Sequence, residues 1–213
     1  MKSTTNDILE ELIEKYPSLE VVKQDILKAF IITLNTYQNG GKLFACGNGG
    51  SAADSEHIVG ELMKSFKKPR SIDDNIKQKL ISLGDNGKYI AENLEGALPA
   101  ISLTSHISLI TAYLNDREPN MTFAQQLLGL GVKGDVLVAI STSGNSKNCV
   151  YASTLAKAMG IYVIGMTGSK DNKIKEVSDV CICVPETETY KVQELHLPVY
   201  HALCAMIEEE LFG

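Results

Sequence analysis

The sequence predicts a three-layer α/β protein with a five-stranded parallel sheet, helices on both of its faces and an N-terminal helical segment. Five short apolar runs alternate with helical patterns. The runs are continuous, as is typical of parallel strands that are buried on both faces. Two loops rich in glycine and serine each follow an apolar run and precede a helical pattern. The length of 213 residues suits a single domain, 1–213.

Composition and charge exclude several classes of protein. Hydrophobic residues make up 44% of the chain and charged residues 22%, as in globular proteins. The net charge is −6 and arginine occurs only at Arg70 and Arg117, so no nucleic-acid partner is expected. No apolar run reaches the roughly 20 residues of a membrane helix, so no membrane partner is expected. The five cysteines are scattered and odd in number, which favours reduced thiols and a cytoplasmic location.

The N-terminal segment, 1–40, is predicted to be helical. Apolar residues at spacings of three and four indicate one buried stripe, formed by Leu19, Val22, Ile26, Phe30 and Leu34. Ser18 is the predicted cap of this helix, which runs to about Gln38 and ends at Asn39-Gly40-Gly41. The stripe would expose apolar surface beside a sheet that its own helices already cover, and this predicts a homo-oligomer.

The first strand and an insertion come next. Leu43–Cys46 is the first strand, and a helix after it extends to about Phe66. Residues 67–98 contain few large apolar side chains and several glycine and aspartate turns. We interpret 67–98 as an insertion with one short helix near Asp74–Ser82, rather than a second domain.

Strands and helices then alternate to the C-terminus. The predicted strands lie within 98–103 and at Val136–Ile140, Ile161–Met166 and Val180–Val184. The predicted helices are about Ile107–Leu114, Phe123–Leu130, 146–159 and Glu188–Leu211, with a break at Asn115-Asp116.

The two polar loops, Gly47–Ser51 and Ser141–Ser146, indicate a ligand site. Ligands of open parallel sheets bind beyond the carboxyl ends of the strands, which is where both loops fall. Glycines allow close approach of the backbone, and N–H groups at a helix start attract anions. Neither loop matches a nucleotide-binding pattern, so a phosphorylated small molecule is the expected ligand. The alternative is that the serines only cap a helix, but four hydroxyls in six residues favour phosphate.

The histidines divide into candidates and structural residues. His57 and Glu61 are spaced i, i+4 on one helix face, within three turns of the first loop. On the last helix Gln193 lies about 80° from His201 and about 60° to the other side from His196, so it can share a site with either. His106 follows a predicted strand and is at least as well explained by a structural hydrogen bond.

These residues form a set of motifs with a family resemblance. The motifs are G-N-G-G-S at 47–51, H-x-x-x-E at 57–61, N-D at 115–116, S-T-S-G-N-S at 141–146 and Q-E-x-H-x-x-x-x-H at 193–201. Together they resemble the sugar isomerase (SIS) domain of the phosphoheptose isomerases, from about Leu19 to the C-terminus. The resemblance implies the SIS fold and an enzyme that converts sedoheptulose 7-phosphate to D-glycero-D-manno-heptose 7-phosphate.

The resemblance also implies roles for individual residues. The phosphate would be held by Ser141, Thr142, Ser143 and Ser146. The sugar would be bound by Asn48, Gly49, Gly50, Ser51, Asn115, Asp116 and Gln193. One zinc ion per subunit would be ligated by His57, Glu61, Gln193 and His201, which selects His201 over His196. Glu61 and His201 would be the catalytic acid/base groups. Tyr190 stands where typical members carry an aspartate.

The implied chemistry suits these residue types. The isomerisation moves a proton between C1 and C2 through a cis-enediol, and it needs a base for carbon and an acid/base for oxygen. A carboxylate and an imidazole fit these tasks, in either order. The alternatives are an isomerase of another phosphosugar and a non-catalytic phosphosugar-binding or regulatory protein, while a lyase of sugar-phosphate ethers fits less well. The resemblance further implies a homotetramer with sites between subunits.

Overall fold

The computed structural model describes residues 1–213 and confirms the predicted α/β class. Five parallel strands form one sheet in the order β2-β1-β3-β4-β5. The strands are β1 Leu43–Cys46, β2 Ala100–Ser102, β3 Val136–Ile140, β4 Tyr162–Thr167 and β5 Val180–Cys183. All five strands lie where the sequence predicts them within one or two residues, because each is a short apolar run between turn signals.

Ten α-helices surround the sheet. They are α1 Ser3–Lys15, α2 Lys23–Gln38, α3 Gly50–Met63, α4 Asp74–Ile81, α5 Asp85–Asn93, α6 Ile107–Asp116, α7 Thr122–Leu130, α8 Lys147–Met159, α9 Lys173–Val177 and α10 Thr189–Phe212. Short 3₁₀ turns at Pro17–Val22 and Pro119–Met121 precede α2 and α7. None of these helices is long and apolar enough to span a membrane.

The helices form two layers over two apolar cores. One core joins α1, α2, α3 and α10 to one face of the sheet and includes Phe30, Leu62 and Tyr200. The other joins α7, α8 and α9 to the opposite face and includes Phe123, Leu127 and Ala152. The helix that follows β1 therefore lies on one face and the helix that follows β3 on the other. Since β1 and β3 are neighbours, this divergence opens a crevice at their carboxyl ends.

Several local predictions are wrong. Ser18 caps no helix, because Pro17–Val22 is a 3₁₀ turn and α2 begins at Lys23. Asn115 and Asp116 do not break a helix but form the last turn of α6, which ends before Arg117. Helix α3 stops at Met63 instead of Phe66, because Lys64 is extended.

The basis of the oligomer prediction is also wrong. Phe30 is fully buried in the core between α2 and the sheet, and Leu34 is partly buried against it. The N-terminal helix is thus one of the sheet's own covering helices. Exposed apolar side chains lie elsewhere, on α6, α7 and the insertion.

The insertion contains two helices, α4 and α5, where the sequence predicts one. Asp73 caps α4 by accepting the N–H of Ile76 at 3.1 Å. The ends of the insertion are pinned together, since Gly96 donates its N–H to the carbonyl of Arg70 at 2.9 Å. Helix α4 buries no residue, and α5 buries only Gly87 and Ala91. Helices α4 and α5 thus form a hairpin that projects from the surface of the domain.

Candidate active site

The two polar loops meet at the crevice between β1 and β3. The Asn48 and Asn148 amides form a reciprocal pair, with hydrogen bonds of 2.9 and 2.8 Å that join the first loop to the start of α8. Asn48, Gly49 and Gly50 are exposed there. Ser51 is buried against Gly47, so its side chain faces inward rather than into the crevice.

The hydroxyls of the second loop are not used to cap α8. Ser146 occupies the N-cap position, but its side chain accepts no backbone N–H of the helix. Its hydroxyl instead lies 3.0 Å from that of Ser141. Thr142 and Ser143 line a cavity of about 170 Å³ that has no apolar residue, and its wall also includes Lys170, Asp171 and Glu186. The hydroxyls and the start of α8, rather than the charge of this cavity, are what suit a phosphate group.

Gly144 shapes this loop. Its φ of +63° lies in the left-handed region, and an added Cβ would overlap the side chain of Asn172. The Gly144 carbonyl accepts the N–H of Ile174 at 3.0 Å, which fastens the loop to α9. A glycine is required at this position because both the backbone conformation and the close contact exclude a side chain.

His57 and Glu61 contact each other, as their spacing on α3 predicts. His57 Nε2 lies 3.1 Å from a carboxylate oxygen of Glu61. The other ring nitrogen, Nδ1, lies 3.0 Å from the hydroxyl of Tyr200 on α10. The Tyr200 hydroxyl in turn lies 3.3 Å from Oδ1 of Asp54, one turn before His57. The imidazole is therefore held from both sides.

His201 completes this cluster from α10. Its ring centre is 4.9 Å from that of His57, in an edge-to-face arrangement, and 5.7 Å from that of Phe66. Burial lowers the pKa of His201, and the neighbouring His57 lowers it further while Glu61 opposes the shift. His201 Nε2 is buried without a hydrogen-bond partner. The side chain is thus neutral at pH 7 and carries a lone pair or proton that a ligand can use.

Gln193, on α10, contacts the first loop. Its amide contacts Gly50 so closely that a Cβ there would overlap it. His196, the alternative partner on the same helix, is fully buried and lies 3.3 Å from the carbonyl of Thr167. Burial lowers the pKa of His196 to about 4, so it is a neutral core residue. The structure thus selects His201 for the cluster.

The donor set has the chemistry of a zinc site. Imidazole and carboxylate are common zinc ligands, and the unpartnered Nε2 of His201 is a free donor beside His57 and Glu61. These side chains do not form a closed metal site, because no three His, Cys, Asp or Glu side chains converge on a common point. His57, Glu61, Gln193 and His201 are the residues that would hold such an ion.

Two further predictions have different outcomes. Asn115 and Asp116 are exposed at the end of α6 and hydrogen-bond to each other at 2.9 Å, and neither hydrogen-bonds to the two loops. His106 Nδ1 lies 2.6 Å from Oε1 of Gln126, whose amide donates to the carbonyls of Leu103 and Thr122. His106 therefore makes a structural hydrogen bond, which is one of the two interpretations that the sequence allows.

A buried ion pair that the sequence analysis missed supports the end of α3. Arg70 donates from Nε to Glu208 at 2.8 Å and from its other nitrogens to the carbonyls of Leu62 and Glu61 at 2.6 and 3.1 Å. Both side chains of the pair are almost fully buried. Glu208 also accepts the N–H groups of Phe66, Lys67 and Lys68. The pair thus fixes the turn of helix that carries Glu61.

Asp54, Tyr200 and Asn148 were missed as well. Asp54 and His57 are three residues apart on one helix face, and Tyr200 is adjacent to His201. The sequence therefore already places Asp54 and Tyr200 near two of the candidate residues. Their hydrogen bonds connect α3 to α10, and the first loop to α8, across the fold. No spacing within one element reveals such contacts.

Models of the SIS domain match the chain over residues 96–206 and 6–81. A phosphoheptose isomerase of Akkermansia muciniphila is 36% identical over 202 residues, which cover 95% of this chain and 94% of that protein. One from Nitratiruptor is 38% identical over 95% of this chain and 97% of its own length.

Solved structures of phosphoheptose isomerases have the same fold. The Neisseria gonorrhoeae protein superposes with a TM-score of 0.74 at 32% identity and covers 94% of both chains. The Francisella tularensis protein superposes with a TM-score of 0.75 at 27% identity, over 98% of this chain and 100% of that one. The resemblance of the motifs therefore extends over nearly the whole chain.

Proposed function

The chain belongs to the phosphoheptose isomerase family of SIS-domain proteins, and we propose that it isomerises sedoheptulose 7-phosphate to D-glycero-D-manno-heptose 7-phosphate. The observation that carries the proposal is the cluster of His57, Glu61 and His201 on α3 and α10. The same fold carries the polar loop Ser141–Ser146 at the carboxyl end of β3. A non-catalytic phosphosugar-binding protein needs the loop alone. The carboxylate and the free imidazole nitrogen favour an enzyme.

The phosphate anchors the substrate in this proposal. The hydroxyls of Ser141, Thr142, Ser143 and Ser146 and the N–H groups that begin α8 hold its oxygens. Binding energy from this non-reacting end orients the sugar chain, so that C1 and C2 reach the cluster on α3 and α10. The first loop, at Asn48–Gly50, lies between the two and contacts the sugar hydroxyls.

Glu61 and His201 divide the proton transfers. One group removes the proton from C1 of the ketose, and the C1–H electron pair forms the enediol double bond. The same group then delivers a proton to C2. The other group moves a proton from the C1 oxygen to the C2 oxygen. No atom is gained or lost, and each acid/base group is expected to contribute about 10²–10⁴-fold.

We propose His57, Glu61, Gln193 and His201 as the residues that hold one zinc ion per subunit. When bound, the zinc would polarise the oxygens at C1 and C2 and stabilise negative charge on them. Gln193 is an unusual zinc ligand, so zinc binding is expected to be weak and some of the zinc to be lost during purification.

We also propose a homotetramer in the cytoplasm. The support for assembly is the exposed apolar surface of α6 and α7, together with the position of Asn115 and Asp116, neither of which hydrogen-bonds to the two loops within one chain. The support for the location is that all five cysteines are free thiols.

One NMR experiment tests the reaction. Purified protein is incubated with sedoheptulose 7-phosphate in D₂O, and with hexose and pentose phosphates for comparison. The expected result is turnover of the heptose with deuterium at C1 or C2. Turnover of a shorter sugar phosphate instead would identify an isomerase of another phosphosugar. A ligand-induced thermal shift without any turnover would identify a binding protein.

Paired variants test the roles of the two acid/base groups. Glu61→Gln and His201→Asn are each expected to abolish most turnover, while the sugar phosphate still raises the melting temperature through the Ser141–Ser146 loop. Loss of activity only in proportion to loss of folded protein would contradict this assignment and indicate a structural clamp.

A further inference from the structure

Two cysteines on the edge strand lie side by side, and the proposed isomerisation uses neither of them. Cys181 and Cys183 are separated by one residue on β5, so their side chains project from the same face of the sheet. Their sulfur atoms lie 3.5 Å apart. Strand β5 is the last in the strand order and pairs only with β4, so no further strand restrains it.

The neighbouring residues of β4 leave room for both sulfurs. In the parallel register Cys181 pairs with Gly165, and Cys183 pairs with Thr167. A Cβ on Gly165 would lie 2.7 Å from the Cys181 sulfur, so this thiol occupies space that only a glycine leaves. The Thr167 hydroxyl lies 3.4 Å from the Cys183 sulfur and 3.6 Å from the Cys181 sulfur. The two thiols and the hydroxyl thus form one compact cluster.

This pair differs from the other cysteines in exposure and in ionisation. Both of its members are partly exposed, whereas three cysteines are buried: Cys46, Cys149 and Cys204. The hydrogen bond with Cys181 lowers the pKa of Cys183 to about 6; partial burial opposes this shift, and Thr167 and the charge of Lys175 add to it. The same hydrogen bond and burial raise the pKa of Cys181. An accessible thiolate beside a second thiol is the arrangement found in cysteines that sense oxidants.

The spacing on the strand determines what kind of disulfide this pair can form. Residues two apart on a strand have Cα atoms about 6.6 Å apart, since each residue rises about 3.3 Å. This separation lies near the upper end of the range that a disulfide spans, roughly 4.4–6.8 Å. The sulfurs reach bonding distance if β5 bends, and β5 is paired on one side only. Strained and accessible disulfides are readily reduced, so this one would be labile rather than structural.

We propose that Cys181 and Cys183 are a redox-active pair, which hydrogen peroxide converts to an intrachain disulfide and which thiols reduce again. The Cys183 thiolate attacks one peroxide oxygen, the O–O bond breaks, and the leaving hydroxide takes up a proton to become water. The Cys181 sulfur then attacks the sulfenic acid on Cys183, so that the S–S bond forms and the S–O bond breaks. The second hydroxide leaves as water with the Cys181 proton. The two thiols lose two electrons and two protons, and the peroxide is reduced to two waters.

Peptide mass spectrometry tests the pair in the whole protein. The reduced parent is treated with hydrogen peroxide, its remaining thiols are alkylated in denaturant, and it is digested with trypsin. Cleavage after Lys175 and Lys191 places both cysteines on one peptide, 176–191. This peptide is expected to lose the mass of two hydrogen atoms and to take up no alkylating reagent. Reduced glutathione should restore both thiols, and the buried cysteines should be alkylated throughout.

Serine variants separate the two steps. Without a resolving thiol, Cys181→Ser should accumulate the sulfenic acid on Cys183, where dimedone traps it. Cys183→Ser should leave Cys181 unoxidised over the time in which the parent is fully converted. Cys204→Ala is the matched control, because it removes a buried thiol and should form the disulfide at the rate of the parent. Melting temperatures show that each variant is folded before treatment.

Several results would overturn the proposal. Peptide 176–191 could stay reduced in the treated parent, or be oxidised only to sulfinic or sulfonic acids. A disulfide between chains, or one that reduced glutathione does not reopen, would equally contradict a reversible intrachain pair. None of these readouts depends on turnover. A parent that isomerises no sugar phosphate but forms the disulfide would disprove the proposed function and support the redox pair, and the opposite pair of results would do the reverse.

Discussion

Ser143 illustrates how a single hydroxyl distinguishes a binding loop from a helix cap. Its oxygen accepts the N–H of Asn145 at 3.2 Å inside the loop, and its side chain faces the polar cavity rather than the first turn of α8. We expect Ser143→Ala to weaken binding of the sugar phosphate by about 1.5–3 kcal/mol, the contribution of a hydrogen bond to a charged group. Calorimetric titration with substrate measures this, and unchanged affinity would support the capping interpretation.

Gly144→Ala should damage the same loop by another route. The left-handed backbone costs a non-glycine residue about 1–2 kcal/mol, and the new methyl group would also displace Asn172. A loss of this size lowers the melting temperature of a protein this long by at least about 2–4 °C. Gly129→Ala is the control, since Gly129 lies within α7 in open space. Equal melting temperatures for the two variants would contradict the argument.

The sequence predicts part of the site and leaves the rest open for a physical reason. Spacing within one helix places His57 beside Glu61, and the structure confirms it. The same reasoning leaves His196 and His201 equivalent, because the side of α10 that faces the core depends on packing against other elements. Tyr200 and Asp54 are recognised only once α3 and α10 are known to be neighbours.

Helices show the same division between local and long-range causes. Continuous apolar runs predict the strands, but Ser18 fails as a cap because Pro17 starts a 3₁₀ turn that already uses the local hydrogen bonds. The C-terminal helix continues through Pro198, although an internal proline removes a hydrogen bond and favours a break. Packing of α10 against α1, α2 and α3 in the main core outweighs that local cost.

The junction of α3 with the insertion depends on the Arg70–Glu208 pair and gives the protein an acid-sensitive contact. Burial raises the pKa of Glu208 but is outweighed by the N–H groups of Phe66 and Lys67 and by Arg70, so its pKa lies below the ordinary value. A depressed carboxyl pKa stabilises the fold above the unfolded-state pKa of about 4.3, and this stability is lost as the pH falls through the folded-state pKa.

Glu208→Gln tests this contact. At pH 7 the variant leaves the Arg70 charge buried without its partner, which typically costs about 3–5 kcal/mol. Below about pH 4.3 the parent loses the same interaction, so the melting temperatures of parent and variant should converge in acid. Glu194→Gln, on an exposed position of the same helix, should behave like the parent. A difference between parent and Glu208→Gln that is constant from pH 3 to 7 would exclude the proposed linkage.

At the scale of the whole molecule, the insertion hairpin is expected to be dispensable for folding. Helices α4 and α5 pack on each other and bury no large side chain, and the hydrogen bond between Gly96 and Arg70 already closes the base of the hairpin. Replacing residues 72–94 by a short glycine-serine linker should leave the melting temperature within a few degrees of the parent. A large loss of stability would show that the hairpin belongs to the folding unit.

Assembly is the remaining property of the whole molecule, and α6 and α7 are where it should be tested. Single exposed apolar residues are ordinary, but Ile107, Leu128 and Leu130 lie on these two adjacent helices and are 72%, 56% and 41% exposed. Burial of this surface between copies would explain why Asn115 and Asp116, at the end of α6, are expected in a sugar site although neither hydrogen-bonds to the two loops within one chain. Light scattering at micromolar concentration should give four times the mass of one chain, and Leu128→Lys should lower it. Val21→Lys, at an exposed apolar residue outside this surface, is the control; a monomeric parent, or equal masses for both variants, would rule this surface out as the interface.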